Sequence, residues 1–372
     1  MSARVDREPH SRLLLQTLTE PASCAQLDLS QWDLLLRTAR AARLLGVVGI
    51  LIRDAGAQSS VPPEVTVHFT SQSREDLYRC AMAELTLQRI ERSLANDATS
   101  VVLLKGAAYI ARALPWARSR IFSDIDLMVA RSEIDATERA LREDGWTTSP
   151  LDPYDERYYR EWGQEIPPLS HEQFQFEVDL HHTILPLTGR LRPDADRLIR
   201  DSAPLPGTRF RVLGEEDQFI HTVLHLVHDS DMVGGLRDLV DVWLLGRHFG
   251  QAEDFAHRLV TRARLHGVAR PLWWALHYVE SYLQGNAFTT DTMARLADVC
   301  PPPMVIAVMD AMVPGALFPP GPTSSHIALQ VARLGLLGRY QWMRMPPLML
   351  ARHILVKSRR AIFARESARL DA

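Results

Sequence analysis

Arg120-Ile121-Phe122-Ser123-Asp124-Ile125-Asp126-Leu127-Met128-Val129 is the stretch whose reading decides the fold of this chain. Residues 121–129 form a short run of strand length, apolar apart from Ser123, Asp124 and Asp126. Successive side chains on a strand point to opposite faces, so Asp124 and Asp126 share one face, while Ile125 and Leu127 point to a core. Two carboxylates side by side repel each other unless a cation lies between them. A hard divalent ion with oxygen ligands, Mg²⁺ above all, answers that need. A bare Asp-x-Asp often marks nothing more than a solvated strand face. Here Ile121 and Phe122 on one side and Leu127, Met128 and Val129 on the other describe an interior strand, where charge needs a reason.

A second run, Phe174–Leu180 (FQFEVDL), alternates with period two and puts Glu177 and Asp179 on the face opposite Phe174, Phe176 and Val178. An antiparallel placement of this strand beside the first brings Asp179 to Asp124 and Asp126. Three convergent carboxylates suit two metal ions and in-line displacement at phosphorus. Upstream, Ser100–Leu104 (SVVLL) has strand character, and Lys105–Leu114 reads as a short helix closed by Pro115. Downstream, Ser132 is the expected cap of a helix over Glu133–Glu143, and Gly145 its stop. Residues 147–170, with four prolines and many charges, read as irregular. The pattern predicts about three strands in one mixed sheet with helices on one side.

Apolar spacing on both flanks is helical. Leu13, Leu14 and Leu18, then Trp32, Leu35, Leu36 and Ala39, recur at three- to four-residue intervals. A long helix is expected over 63–95, ending at Asn96–Asp97. From Glu215 onward helices continue, broken near Gly250, Asn286, Pro301–Pro303 and Phe318–Pro322. The fold class is therefore α+β: a small mixed-sheet core at 98–190, a helical region at 1–97 before it and a helical domain at 205–372 after it. No internal repeat is visible.

Composition narrows the setting. With 46% hydrophobic and 23% charged residues the 372-residue chain is of ordinary globular make-up, and its net charge of −3 gives no bulk signal for a nucleic-acid partner. Cys24, Cys80 and Cys300 are scattered and form no C-x-x-C pair. The N-terminus shows no signal-peptide pattern, and no apolar run approaches the roughly 20 residues that span a bilayer. A cytoplasmic protein without a transmembrane segment is expected.

Val102-Leu103-Leu104-Lys105-Gly106-Ala107-Ala108, Tyr109, and then Arg120 ahead of Asp124-Ile125-Asp126-Leu127-Met128-Val129 resemble the uncharacterised nucleotidyltransferase family of bacteria. The likeness covers roughly residues 80–250. Glu177–His182 resembles that family's acidic, histidine-bearing strand end, and His225/His228 and Arg237/Asp241 its helical His-x-x-His and Arg-x-x-x-Asp. The resemblance implies a DNA-polymerase-β-like core and transfer of a nucleoside monophosphate from an NTP, ATP by default, with two Mg²⁺ ions and release of pyrophosphate. Asp124, Asp126 and Asp179 are then the catalytic and metal-binding residues. Lys105, Gly106, Ala107, Arg120 and Ser123 form the nucleotide-binding group. Tyr109, Glu177, His181, His225 and His228 touch substrate or support residues that do. Where the wider superfamily has Gly-Ser ahead of its carboxylates, this chain has Lys105-Gly106-Ala107, so Lys105 and backbone N–H groups must hold the triphosphate.

Other features stay open at this level. Arg120 reads equally as a partner for Asp124, a phosphate grip or a solvated arginine. His221, His225 and His228 share one helix face, which suits packing against the sheet or, less simply, a zinc site. Arg237 and Asp241 read as a structural i, i+4 pair. The stretch from Arg333 to Arg369 is basic and amphipathic, fit for packing on the body or for weak peripheral contact with a membrane or RNA. The expected partners are an NTP and an unidentified acceptor, with a small molecule favoured over protein or RNA. The competing readings are a catalytically silent nucleotide- or protein-binding member of the fold, an RNA-modifying nucleotidyltransferase and a phosphohydrolase using water.

Overall fold

The computed structural model describes residues 8–95, 99–120, 123–228, 231–320 and 326–357. Ile121, Phe122, the expected stop at Asn96–Asp97 and the basic stretch beyond 357 lie outside them.

Four helices come first: α1 (Pro9–Thr19), α2 (Leu29–Ala41), α3 (Leu45–Asp54) and α4 (Pro63–Ser93). Proline opens α1 and α4, where a missing N–H leaves no helical bond unmade. Asp28 and Gln31 form a reciprocal capping box on α2, the Asp28 carboxylate accepting from Gln31 N–H at 2.9 Å and the Gln31 side-chain oxygen from Asp28 N–H at 3.0 Å.

The central region runs β1 (Val101–Leu103), α5 (Lys105–Ala111), β2 (Asp124–Met128), α6 (Ile134–Glu143), β3 (Thr147–Thr148), α7 (Pro153–Arg157), β4 (Leu169–Ser170), β5 (Glu177–His181), α8 (Ala195–Arg200), β6 (Ala203–Pro204) and β7 (Phe210–Val212). These strands make a seven-stranded sheet in the order β3-β4-β5-β2-β1-β7-β6. The three expected strands are its centre. The other four are two or three residues long, too short to leave a period in sequence.

Three local expectations need correction. β5 lies parallel to β2, not antiparallel, and the intervening chain with α6 supplies the long crossover that a parallel neighbour requires. Both sheet faces are covered. Ile125, Leu127, Val178 and Leu180 pack with Ala83 and Ile90 of α4 and with Ile134 and Leu141 of α6, whereas Val102, Leu104 and Met128 join the core of the flanking helices. Ser132 makes no cap for α6, because a short 3₁₀ turn over Arg131–Glu133 leads into that helix, and Glu133 occupies the cap position without a capping side-chain bond. Gly145 does end the segment, at φ +97, a conformation that favours glycine.

The remaining helices are α9 (Glu215–Val227), α10 (Leu236–Phe249), α11 (Phe255–Leu265), α12 (Ala269–Leu283), α13 (Ala287–Arg295), α14 (Pro303–Leu317) and α15 (His326–Arg344). Gly250 caps the end of α10, Asn286 accepts from Thr289 N–H at the start of α13, and Pro303 opens α14. Leu14, Leu18 and Trp32 share one apolar cluster with Leu224, Leu239 and Trp273, so the helices before and after the sheet bury the same core.

One buried group on this flank sets a pH dependence. His228, at the end of α9, is 3% exposed, and its Nε2 has no hydrogen-bond partner among the described residues. Arg339 lies beside it and donates to the Val227 carbonyl at 2.8 Å. Burial, reinforced by the Arg339 charge, pulls the imidazole down to about 4. The folded pKa is depressed, so the neutral ring's contribution is complete above the unfolded value near 6.5 and is lost as pH falls toward 4. Urea titrations of wild type and His228→Leu at pH 7.5 and pH 4 should show the wild type's advantage shrinking by as much as about 3 kcal/mol. An advantage independent of pH would contradict this.

Candidate active site

β2 and β5 pair with Asp124 opposite Glu177, Asp126 opposite Asp179 and Met128 opposite His181. In-register parallel pairing puts alternate residues of both strands on one face, and this brings three acids together. Asp124, Asp126 and Asp179 each offer a carboxylate oxygen within 4.8 Å of the others, and among the described residues they form the one such metal-capable group. Asp126 is the deepest, at 2% exposure, while Asp124 and Asp179 are half-buried.

A lysine and a histidine face this cluster. Lys105, the first residue of α5, donates its Nζ to Asp126 Oδ1 at 2.7 Å. Its backbone has φ +43, a costly conformation for a residue with a side chain, and such strain concentrates at functional sites. His181 Nε2 lies 3.0 Å from the same Asp126 oxygen and 3.2 Å from Glu165 Oε2. Glu165 arrives through an antiparallel bridge to His181, with Ile166 N–H donating to the Leu180 carbonyl at 3.1 Å. The sequence reading missed Glu165. It is one of many charges in a segment without periodicity, and only the edge pairing singles it out.

The electrostatics follow from burial and these neighbours. Burial raises Asp126, but the Lys105 charge and the His181 hydrogen bond outweigh it and hold the carboxyl well below its usual range. At Asp179 burial, then the charges of Glu165 and Asp126, outweigh the opposing His181 contribution and push the carboxyl up to about 7. Burial pulls Lys105 and His181 down, yet Asp126 and Glu165 respectively overcome it, and both groups end above their ordinary values. His221 of α9 is fully buried nearby and is driven down by burial and by Lys105. An excess of oxygen donors, one of them held near neutrality by its neighbours, is a donor set that a hard cation would relieve.

The other expected site residues fall into two groups. Gly106 and Ala107 lie buried in the first turn of α5, and Ser123 is exposed immediately before Asp124. Glu177 is exposed on β5 beside Asp124 in register, outside the trio. Arg120 does not meet Asp124. It is buried, bonds Asp241 through Nε and lies 3.6 Å from Asp238, with its guanidinium 5.2 Å from the centre of the Tyr109 ring. Asp241 takes Arg120 as its hydrogen-bonded cation, and Arg237 lies 3.5 Å from the adjacent Asp238. Tyr109 is sealed in the core, its hydroxyl 2.6 Å from Thr222 Oγ1, where no substrate reaches. His225 faces Asp238 at 3.4 Å and His228 faces Arg339, so the α9 histidines go to separate partners. A cavity of about 750 Å³ between α3, α4 and the loop at 115–119 includes none of the three acids in its lining.

A mixed sheet carrying Asp-x-Asp on its central strand, with helices at both ends, is the architecture of an α+β nucleotidyltransferase core. The chain belongs to the uncharacterised nucleotidyltransferase family, whose model matches residues 28–284, a wider span than the sequence motifs suggested. No curated protein and no solved structure matches it. Among the described residues, no helix is long and apolar enough to cross a membrane.

Proposed function

We propose that this protein transfers a nucleoside monophosphate from an NTP, ATP by default, to a hydroxyl acceptor, using Mg²⁺. The observation that carries this reading is the trio of acids within 4.8 Å in a chain of a nucleotidyltransferase family. Asp124, Asp126 and Asp179 would hold the metal, two ions at full occupancy. Bound Mg²⁺ would neutralise the triphosphate and the departing pyrophosphate and acidify the acceptor hydroxyl. The acceptor oxygen bonds the α-phosphorus as the bond to the bridging oxygen breaks. Asp179, half-buried beside Asp126, would take the acceptor's proton. Lys105 neutralises phosphate charge. A small-molecule acceptor and a cytoplasmic setting, where NTPs are supplied, belong to the same reading.

Calorimetric titration of each of the four NTPs with Mg²⁺ tests it. At least one should bind in a metal-dependent way, and prolonged incubation, with water as a slow acceptor, should release pyrophosphate and the nucleoside monophosphate. Release of inorganic phosphate would instead identify a phosphohydrolase. Absence of binding by all four would overturn the enzyme reading in favour of a fold used for contacts alone.

A further inference from the structure

Lys105 stands where a metal ion would otherwise be wanted. Asp126 is nearly sealed from water, and such a carboxylate requires positive charge beside it. The Lys105 ammonium provides it at 2.7 Å, yet the lysine side chain keeps 21% exposure against 2% for Asp126. Part of the lysine side chain therefore reaches solvent while its ammonium stays against Asp126. The backbone at Lys105 is pinned between β1 and α5 at φ +43, while the four-carbon stem can turn without moving that anchor. A divalent cation entering the trio meets the ammonium as a like charge, and a triphosphate arriving with the metal offers the ammonium a new partner.

We propose that Lys105 is a resident stand-in cation: it neutralises Asp126 while the site is empty and passes its charge to the triphosphate on loading, so that metal and nucleotide favour each other's binding. This rests on the metal-site reading above. Without nucleotide, metal competes against Lys105 and binds weakly. With nucleotide, the lysine has somewhere to go, and the pair binds better than either alone. Such coupling is reciprocal, so nucleotide is equally held back when metal is absent.

The test is Mn²⁺ binding to the full chain, followed as metal retained with the protein on equilibrium dialysis, with and without saturating α,β-methylene-ATP. Wild type should bind Mn²⁺ weakly alone and at least about tenfold more tightly with the analogue. Lys105→Met should bind Mn²⁺ alone about tenfold more tightly than wild type, and the analogue's enhancement should largely vanish. Lys105→Arg, which keeps the charge, should behave like wild type. Lys105→Gln retains a hydrogen-bond donor for Asp126 and repeats the measurement if the Met variant does not fold. If the uncharged variants bind Mn²⁺ no more tightly than wild type, the proposal is overturned while the metal site stands. If wild type and Asp124→Asn/Asp126→Asn alike bind no Mn²⁺ even with the analogue, the metal reading itself fails, and this proposal with it.

Discussion

Asp126→Asn is expected to weaken Mg²⁺ or Mn²⁺ binding at least about a hundredfold while the chain stays folded. Asp126 is the buried member of the trio, and it also takes the Lys105 and His181 contacts on one oxygen. Removing one partner from a buried charge cluster costs about 3 kcal/mol or more, a factor above about a hundred in affinity. Transfer should fall further, by about a thousandfold, since the transition state gathers charge that the metal must meet. The fold should survive because the backbone ladder of β2 with β5 is untouched. Glu177→Gln is the control. That residue sits beside Asp124 in register but outside the trio, and its replacement should leave metal affinity within about twofold. Binding measured by calorimetry, alongside a thermal melt, decides the matter. Wild-type affinity in Asp126→Asn would end the assignment of this site.

The second large effect lies behind the site. Arg120→Met should destabilise the protein by about 3–5 kcal/mol, because it leaves Asp241 buried at 2% exposure with its cation removed. Burial pushes the Asp241 carboxyl up, and the Arg120 guanidinium opposes that rise more strongly than any other neighbour. Asp238 is less dependent, since His225 and Arg237 also face it. Arg120→Met/Asp241→Leu should recover much of the loss, because an apolar pair can fill a space that a lone carboxylate cannot tolerate. Denaturant unfolding of both singles and the double gives the coupling directly. Independent, additive losses would show that the pair is not the contact that matters. A nucleotide-gripping role for Arg120 predicts something different, a loss of NTP affinity at unchanged stability.

What could be seen beforehand was local in origin. Period-two alternation placed Asp124 with Asp126, and Glu177 with Asp179, without any knowledge of pairing. Helix breaks at Gly250, Asn286 and Pro303 carried their own backbone chemistry and appear where expected. What escaped was non-local. Strand direction depends on the path of the chain between two strands, and nothing in FQFEVDL states it. Arg120 finds its partner 121 residues away, so the nearer Asp124 looked equally suitable. Glu165 enters the site through one edge bridge to His181, which a stretch of mixed charge and proline cannot announce. The four shortest strands are created by their neighbours, being too brief to pattern themselves.

The parallel pairing of β2 with β5 has a consequence for the order of events during synthesis. Asp124 and Asp126 leave the ribosome well before their complement, for His181, the partner of Asp126, follows 55 residues later. A hairpin would have closed the cluster within a short loop, whereas a crossover must first be laid over the sheet. The nascent chain therefore presents a lone Asp-x-Asp, and the three acids come together only after tertiary docking. A divalent ion that binds the completed cage acts as a ligand of the native state alone and shifts the folding equilibrium toward it by mass action. In this architecture, metal occupancy would register that the chain has finished folding.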